Sequence, residues 1–529
     1  MKKKMKKTVA ISTVSLMGVV AIAGCSPGND TGGGATTVSK APVSTNFSIS
    51  MPYNATYLSK NPDIDNDPYV KKLEQLTNTK IKFKVLADPF SKSMDVMFAS
   101  GDIPNVIATG GGFGSSNGIA LQQALQAGMF MPLNDLIDKY GPELKKFIPK
   151  DAWDKETYDG KIYGIPQFIT VAERSSTYIR MDLLEKTGLP VPKTVDEMVN
   201  VLRAFKKLGV AQPYVGRQNF EQMDTFFGAF DVLPNQWTVD TGGNPVPKFF
   251  NAANMQQALQ TYRTMYEEGL MSKEFLTQTK VQYQNVINTG KAGMFQANAN
   301  NFIPLQTGLS KNVPEAKLAL IPSPIGPDGS GGYSLIDEVT RAFMITKETK
   351  NPEVIVKFLN WMLTDEATKF FTYGLEGKDH TVENGVIKYD PKTDEQIRAE
   401  SFRGWLWMIQ DNTYNKLLLE ASPLGQQLIK DFKDIVAKEG RENIRWNPPL
   451  TALDAKPTLN LNTGIPPMIL EAMSKIVVGE KPVSDWPKVI TQWKQQGGDQ
   501  GLAEAANAYK SKAYHPLRIK VNPIPVVKD

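Results

Sequence analysis

Apolar and polar positions along this chain fall into short, punctuated blocks, and only one block stays apolar for long. Residues 9–22 form a mostly apolar run of about 14 residues, short of the roughly 20 that a membrane-spanning helix needs. Residues 47–51 and 81–86 are short apolar or alternating runs and read as strands. Between them Asp67 as N-cap and Pro68 at the first helical position open a helix whose inward face is Val70, Leu73 and Leu76. A second helix over about 92–99 stops at Gly101, before a strand at 105–108. Residues 177–181 are a further strand, and Thr194-Val195-Asp196-Glu197 makes a capping box. In the helix it opens, Met198, Val201, Leu202 and Phe205 fall at i, i+3, i+4 and i+7, a core stripe. Further helices are predicted over about 252–268, from Asn351-Pro352-Glu353, from Thr364 to near Gly374, and over 499–510. Trp486, Val489, Ile490 and Trp493 repeat at helical spacing, so both tryptophans are expected in a core. The tail from His515, with Pro516, Pro523 and Pro525, is expected to lie extended on the surface. Strands alternating with helices predict an α/β fold, in which ligands collect at loops beyond the strand ends.

The N-terminal run changes the picture once its flanks are considered. Lys2, Lys3, Lys4, Lys6 and Lys7 precede it and small residues follow, the arrangement of an export signal. It ends in Ile22-Ala23-Gly24-Cys25, and Cys25 is the single cysteine among 529 residues. This string resembles the lipobox of bacterial lipoproteins, which implies that residues 1–24 are a signal peptide and that Cys25 is diacylated as the mature N-terminus. More than one acyl chain holds a protein durably on a membrane. Residues 25–40, rich in Gly, Ser, Thr, Asn and Asp, are too polar to bury apolar surface and are expected to be a flexible tether. The body is then expected on the outer face of the cell membrane.

Charge and composition exclude several functions. Removing residues 1–24 takes away five lysines and no acidic residue, so 60 basic residues fall to 55, against 55 acidic ones. That balance gives no support for nucleic-acid binding, which wants a concentrated basic face. With Cys25 acylated no thiol remains for a disulfide or a thiolate metal site, and a catalytic triad or zinc site would have to use His380 or His515. Carboxylate-pair chemistry needs neither residue type and stays open. The glycine loop Thr109-Gly110-Gly111-Gly112-Phe113-Gly114-Ser115-Ser116-Asn117 matches neither a dinucleotide fingerprint nor a P-loop. Asp63-Ile64-Asp65-Asn66-Asp67 lacks the glycine and closing glutamate of an EF-hand loop and reads as a helix-capping segment, so no metal and no cofactor is expected.

Several strings together resemble the extracellular solute-binding proteins (family 1) of carbohydrate ABC importers. They are Met97-Phe98-Ala99-Ser100-Gly101-Asp102-Ile103-Pro104-Asn105-Val106-Ile107, Ile179-Arg180-Met181-Asp182-Leu183-Leu184, Tyr266-Glu267-Glu268-Gly269-Leu270, Gly290-Lys291-Ala292-Gly293-Met294 and Tyr373-Gly374-Leu375-Glu376-Gly377-Lys378. Within that family the chain looks like the long lipoproteins that deliver oligosaccharides in Gram-positive bacteria. The resemblance implies two discontinuous α/β lobes of periplasmic-binding-protein type (class II) joined by hinge strands. It places lobe one at about 41–165 plus 330–372 and lobe two at about 170–325 plus 375–529. It implies no catalysis, an oligosaccharide ligand, permease subunits as partners, and a monomer. Two departures stand out. Asn105 occupies a place where many relatives have Asp, and Leu208-Gly209-Val210-Ala211-Gln212-Pro213-Tyr214 has no carboxylate where calcium-binding relatives carry an acidic loop.

A sugar offers an apolar C–H face and a rim of hydroxyls, so its site needs aromatic planes and planar polar groups. The candidates in lobe one are Tyr53 and Asn54 after the first strand, and Phe113, Ser115 and Asn117 in the glycine loop. Gln167 stands at the crossing between lobes. Lobe two offers Tyr178, Arg180, Asn298 and Asn300. Asp337, Glu376, Arg403, Trp405, Trp407 and Trp446 complete the set. Two other readings remain open: a surface glycoside hydrolase in which Asp337 and Glu376 would be the carboxylate pair, and a lipoprotein that senses a ligand for a membrane kinase.

Overall fold

The computed structural model describes residues 45–110, 119–169, 174–391, 393–410, 415–446, 449–462 and 464–518; the expected signal peptide, Cys25, the tether and the loop residues Phe113, Ser115 and Asn117 lie outside them. Two separate sheets organise the chain. The first has five strands in the order Lys80–Leu86, Asn46–Pro52, Val106–Ala108, Val339–Ile345, Gly164–Phe168. The first three run parallel, with Ile49 opposite Phe83 and Val106; the fourth is antiparallel to them, and the fifth pairs antiparallel with the fourth and so runs in their direction. Phe47, Ile49 and Met51 enter the core at every second residue, as strand geometry requires. The second sheet has the order Leu318–Ile321, Ser175–Arg180, Ala292–Asn298, Gln212–Val215.

The local signals act as their chemistry dictates. The Asp67 carboxylate accepts from the backbone amides of Tyr69 and Val70 and opens helix Pro68–Thr77. Helix Phe90–Ser100 ends at Gly101, whose φ of 70° is the left-handed cap that glycine adopts without penalty. Thr194 and Glu197 form the reciprocal capping box of helix Val195–Lys207, and Met198, Val201, Leu202 and Phe205 are all buried. Trp486 and Trp493 are buried against Phe249. Residues 208–214 form a helix end and the start of strand Gln212–Val215, with no oxygen-rich loop. Asn105 caps nothing acidic: its side-chain oxygen accepts from the Ser48 amide and hydroxyl, 2.9 and 3.0 Å, and ties the first strand to the third. His515 does not lie free on the surface, because strand Tyr514–Leu517 pairs with Asn443–Trp446.

One expected boundary moves. Helix Asp394–Leu406, assigned from sequence to the second lobe, packs in the first: Phe402 stacks on Tyr57 with ring centroids 4.2 Å apart, and Leu406, Trp407, Met408 and Ile409 join the same core. The chain therefore crosses between the sheets three times. The first crossing joins strand Gly164–Phe168 to strand Ser175–Arg180. The second joins Leu318–Ile321 to Val339–Ile345, and the third leads from helix Asp394–Leu406 to helix Pro423–Asp434, whose Leu428 and Phe432 pack under the second sheet.

The second crossing stays with the second sheet well past residue 330. Arg441, buried, donates from Nε to the Gly228 carbonyl at 2.6 Å and from Nη1 to Asp328 at 2.8 Å and Ser330 Oγ at 2.7 Å. Its backbone amide donates to the Tyr333 carbonyl at 2.8 Å, and the Tyr333 hydroxyl lies 2.7 Å from Thr177 Oγ1. Gly332 has φ 123° and lies so close to the Gly440 backbone that a Cβ would sit 2.6 Å from its nitrogen, so only glycine fits. Removing one partner of a buried charge network typically costs about 3–5 kcal/mol. Arg441→Met is expected to lower the unfolding free energy by about that much, measured by urea denaturation, whereas a loss below about 1 kcal/mol would mean that surface-type pairing holds there.

Candidate functional site

The parallel strands of the first sheet all end on one edge. Pro52 pairs with Leu86, so Tyr53 and Asn54 follow directly beyond that edge. Strand Gly164–Phe168 ends there too, and the antiparallel strand Val339–Ile345 begins there, with Val339 opposite Phe168. In the second sheet, Asn298 pairs with Ser175, so the end of one strand and the start of the next share an edge. Residues 169–174 join Phe168 to Ser175, seven steps that reach at most about 25 Å. The two strand-end edges are therefore neighbours held by the crossings, which is where an α/β fold places its ligands.

Tyr53 is 40% exposed. Next to it, half-buried Trp405 donates its indole N–H to the Pro52 carbonyl at 3.0 Å and stacks on Phe402 with centroids 5.4 Å apart. Asn54 accepts from the Tyr57 amide at 3.2 Å and caps a short helix. Gln167 Oε1 accepts from the Thr340 hydroxyl at 3.3 Å. Across from these, Asn298 and Asn300 are half-buried, and Asn300 Oδ1 is enclosed with no hydrogen-bond partner. Such an atom costs free energy unless something donates to it.

Five expected ligand residues belong instead to the cores, four with hydrogen-bond partners inside the protein and Trp446 by ring packing. Tyr178 stacks on Phe295 at 5.0 Å and donates to the Asn298 carbonyl. Arg180 is held bidentately by Asp182 at 2.7 and 2.6 Å, which keeps that carboxyl below the usual carboxylate range despite its burial. Arg403 donates to the Phe371 and Thr372 carbonyls and the Tyr389 hydroxyl and lies 3.5 Å from Asp379. Trp407 donates to the Met362 carbonyl at 2.8 Å, and Trp446 packs edge-on to Trp237. Glu376 is exposed in the turn after helix Asp365–Tyr373. Asp337 is bound to Lys155 Nζ at 2.7 Å and accepts from the Val339 amide, so it fixes the crossing.

Sequence reasoning picked out Asp337 at that crossing but not Lys155, to which it is bound, nor Arg341 in the strand that follows. His515 lies close enough to Lys155 and Asp337 to feel both, and burial together with Lys155 lowers its pKa. Arg445 is also depressed by burial, partly offset by Asp337. Arg341 stands in the strand after the crossing. The available signal was a single cation in the otherwise uncharged run from Val339 to Ile345.

The two-sheet architecture with a shared strand-end edge has counterparts among known proteins. The model for bacterial extracellular solute-binding proteins matches residues 62–369. The chain belongs to that family. Among relatives of this solute-binding protein, the polygalacturonan/rhamnogalacturonan-binding protein YtcQ of Bacillus subtilis is 25% identical over 468 residues, covering 84% of this chain and 88% of YtcQ. The fructooligosaccharide ABC transporter substrate-binding protein FusA of Streptococcus pneumoniae is 24% identical over 382 residues, covering 66% of this chain and 69% of FusA. Among solved structures, the alginate-binding protein AlgQ2 superposes with a TM-score of 0.64 at 22% identity, covering 88% of this chain and 98% of AlgQ2. FusA in complex with kestose gives 0.66 at 19% identity, covering 88% and 99%. These likenesses establish the two-lobed fold of periplasmic solute-binding proteins.

The last segment before the Arg441 clamp carries a pH-sensitive group. Glu439 accepts from the Ser323 amide at 2.7 Å, and burial pushes its carboxyl from 4.5 up to about 7. A raised acid favours folding while protonated, so its contribution is full below about pH 4.5 and is lost as the pH rises through 7. Between about pH 5 and about pH 8 the melting temperature of the wild type is expected to fall relative to that of Glu439→Gln. Parallel melting curves against pH would contradict the buried, protonated assignment.

Proposed function

We propose that this solute-binding protein is a membrane-anchored lipoprotein that captures an oligosaccharide between its two lobes and hands it to an ABC permease, catalysing nothing. The observation that carries the reading is the pair of strand-end edges brought close by the crossings. One presents the Tyr53 and Trp405 planes with Gln167; the other presents the amides of Asn298 and Asn300. Aromatic planes receive sugar C–H faces, and side-chain amides donate and accept at the hydroxyl rim. The relatives named for sugar polymers and oligomers support the same ligand class. Asp337, engaged by Lys155, serves the hinge rather than acid–base chemistry. Anchoring through Cys25 follows from the lipobox resemblance, and the protein acts as a monomer.

Titration calorimetry against a panel of neutral and acidic oligosaccharides tests the reading. One class is expected to bind with micromolar affinity and to raise the melting temperature. Tyr53→Ala is expected to weaken that binding about tenfold with little change in the melting temperature of the protein alone, since the residue is exposed and outside the core. New reducing ends after long incubation would replace capture by hydrolysis as the function.

A further inference from the structure

Arg341 is a half-buried arginine with an enclosed Nε, and no acidic group among the described residues answers its charge. Arg180, Arg403 and Arg441 each meet an aspartate, at 2.6, 3.5 and 2.8 Å. Arg445 lies in the field of Asp337. Arg341 has no hydrogen-bond or ion-pair partner among the described residues, and its Nε is fully enclosed. Burial lowers its guanidinium to about 10, and no acidic group offsets that. An isolated buried charge is expensive, and native proteins keep one where it has a use.

Its position says what the use is. Strand Val339–Ile345 lies inside the first sheet, between Val106–Ala108 and Gly164–Phe168. Phe343 and Ile345 pack into the core on one face of the sheet, and Met344 packs into a separate core on the other. Residues 342–345 of this strand are buried, and its half-buried residues Thr340 and Arg341 lie next to its start, at the edge where the second crossing arrives. Arg341 sits two residues from that start, opposite Gln167 and beside a register shift that follows Val339. Its residue as a whole is half-buried, so part of it does reach solvent. A planar guanidinium at the rim of the cleft matches a carboxylate, which it can hold by two parallel hydrogen bonds.

We propose that the captured glycan is anionic and that Arg341 binds its carboxylate, an inference that rests on the oligosaccharide reading above. Charge-assisted hydrogen bonds of this kind discriminate strongly, because the carboxylate relieves a charge that a neutral hydroxyl would leave unpaired.

Calorimetry with short uronic-acid oligomers, each beside the same oligomer with its carboxylates reduced to alcohols, tests the proposal. The acid form is expected to bind roughly 10- to 100-fold more tightly than its reduced counterpart. Arg341→Gln is expected to lose that preference, so that the acid and reduced oligomers bind the variant with similar affinity. Arg341→Lys, a point charge without the fork, should restore only part of it. Equal affinity for acid and reduced forms, or binding of neutral glycans alone, overturns the role of Arg341 while oligosaccharide capture stands. Binding of neither form, and of no neutral glycan in the panel, removes the oligosaccharide reading and this inference together. If Arg341→Gln does not fold, the wild-type protein's preference between acid and reduced oligomer still separates these outcomes.

Discussion

The clamp made by Arg441 is the constraint on which the two-lobed arrangement depends. The chain between Ile321 and Val339 could drift across the cleft, since it has no long strand or helix of its own. Arg441 prevents that by engaging Gly228, Asp328 and Ser330 with its guanidinium and Tyr333 with its backbone amide. Asp224 adds a buried carboxylate that accepts from the Ser334 amide. The freely hinging part is thereby shortened to the few residues between Ser334 and Val339. At its far end Asp337 is locked to Lys155 of the first lobe. A short link between two firmly held ends transmits lobe rotation instead of absorbing it as slack.

The same economy decides which polar residues remain for a ligand. A buried arginine or tyrosine that finds carboxylates and carbonyls within its own lobe is used up by folding, as Arg180, Arg403 and Tyr178 are. Some groups that the cores do not consume lie at the strand ends. There Asn300 Oδ1 and Arg341 Nε stay enclosed and without partners. The cost of those groups is carried by the well-packed sheets behind them, the usual relation between a site and its scaffold.

Much of the fold was legible in the sequence because its signals are local. Asp67-Pro68, the Thr194–Glu197 box and Gly101 each act through backbone groups within a few residues, and the stripe from Met198 to Phe205 fixes a face by spacing alone. The site was less legible. Trp405 and Trp407 are two residues apart, yet one is half-buried beside Pro52 and the other is sealed against Met362 and Phe371. That difference comes from residues far away in the chain. The assignment of helix Asp394–Leu406 to the wrong lobe has the same cause, since its place in the chain carries no information about the Tyr57 ring on which Phe402 stacks. Arg341 left a trace, a cation within an uncharged strand, but its lack of a partner exists only in three dimensions.

Lobe closure needs a free-energy difference between open and closed states that the ligand supplies. Contacts to one lobe alone bind the solute equally well in both states and shift nothing. The proposed ligand groups divide accordingly: Tyr53, Trp405 and Arg341 belong to the first sheet's edge, Asn298 and Asn300 to the second's. A glycan long enough to touch both sets completes the second set of contacts only when the lobes approach. Groups left unsatisfied by the protein make that completion worth more, because a hydrogen bond to an enclosed, partnerless atom removes a penalty as well as adding an attraction.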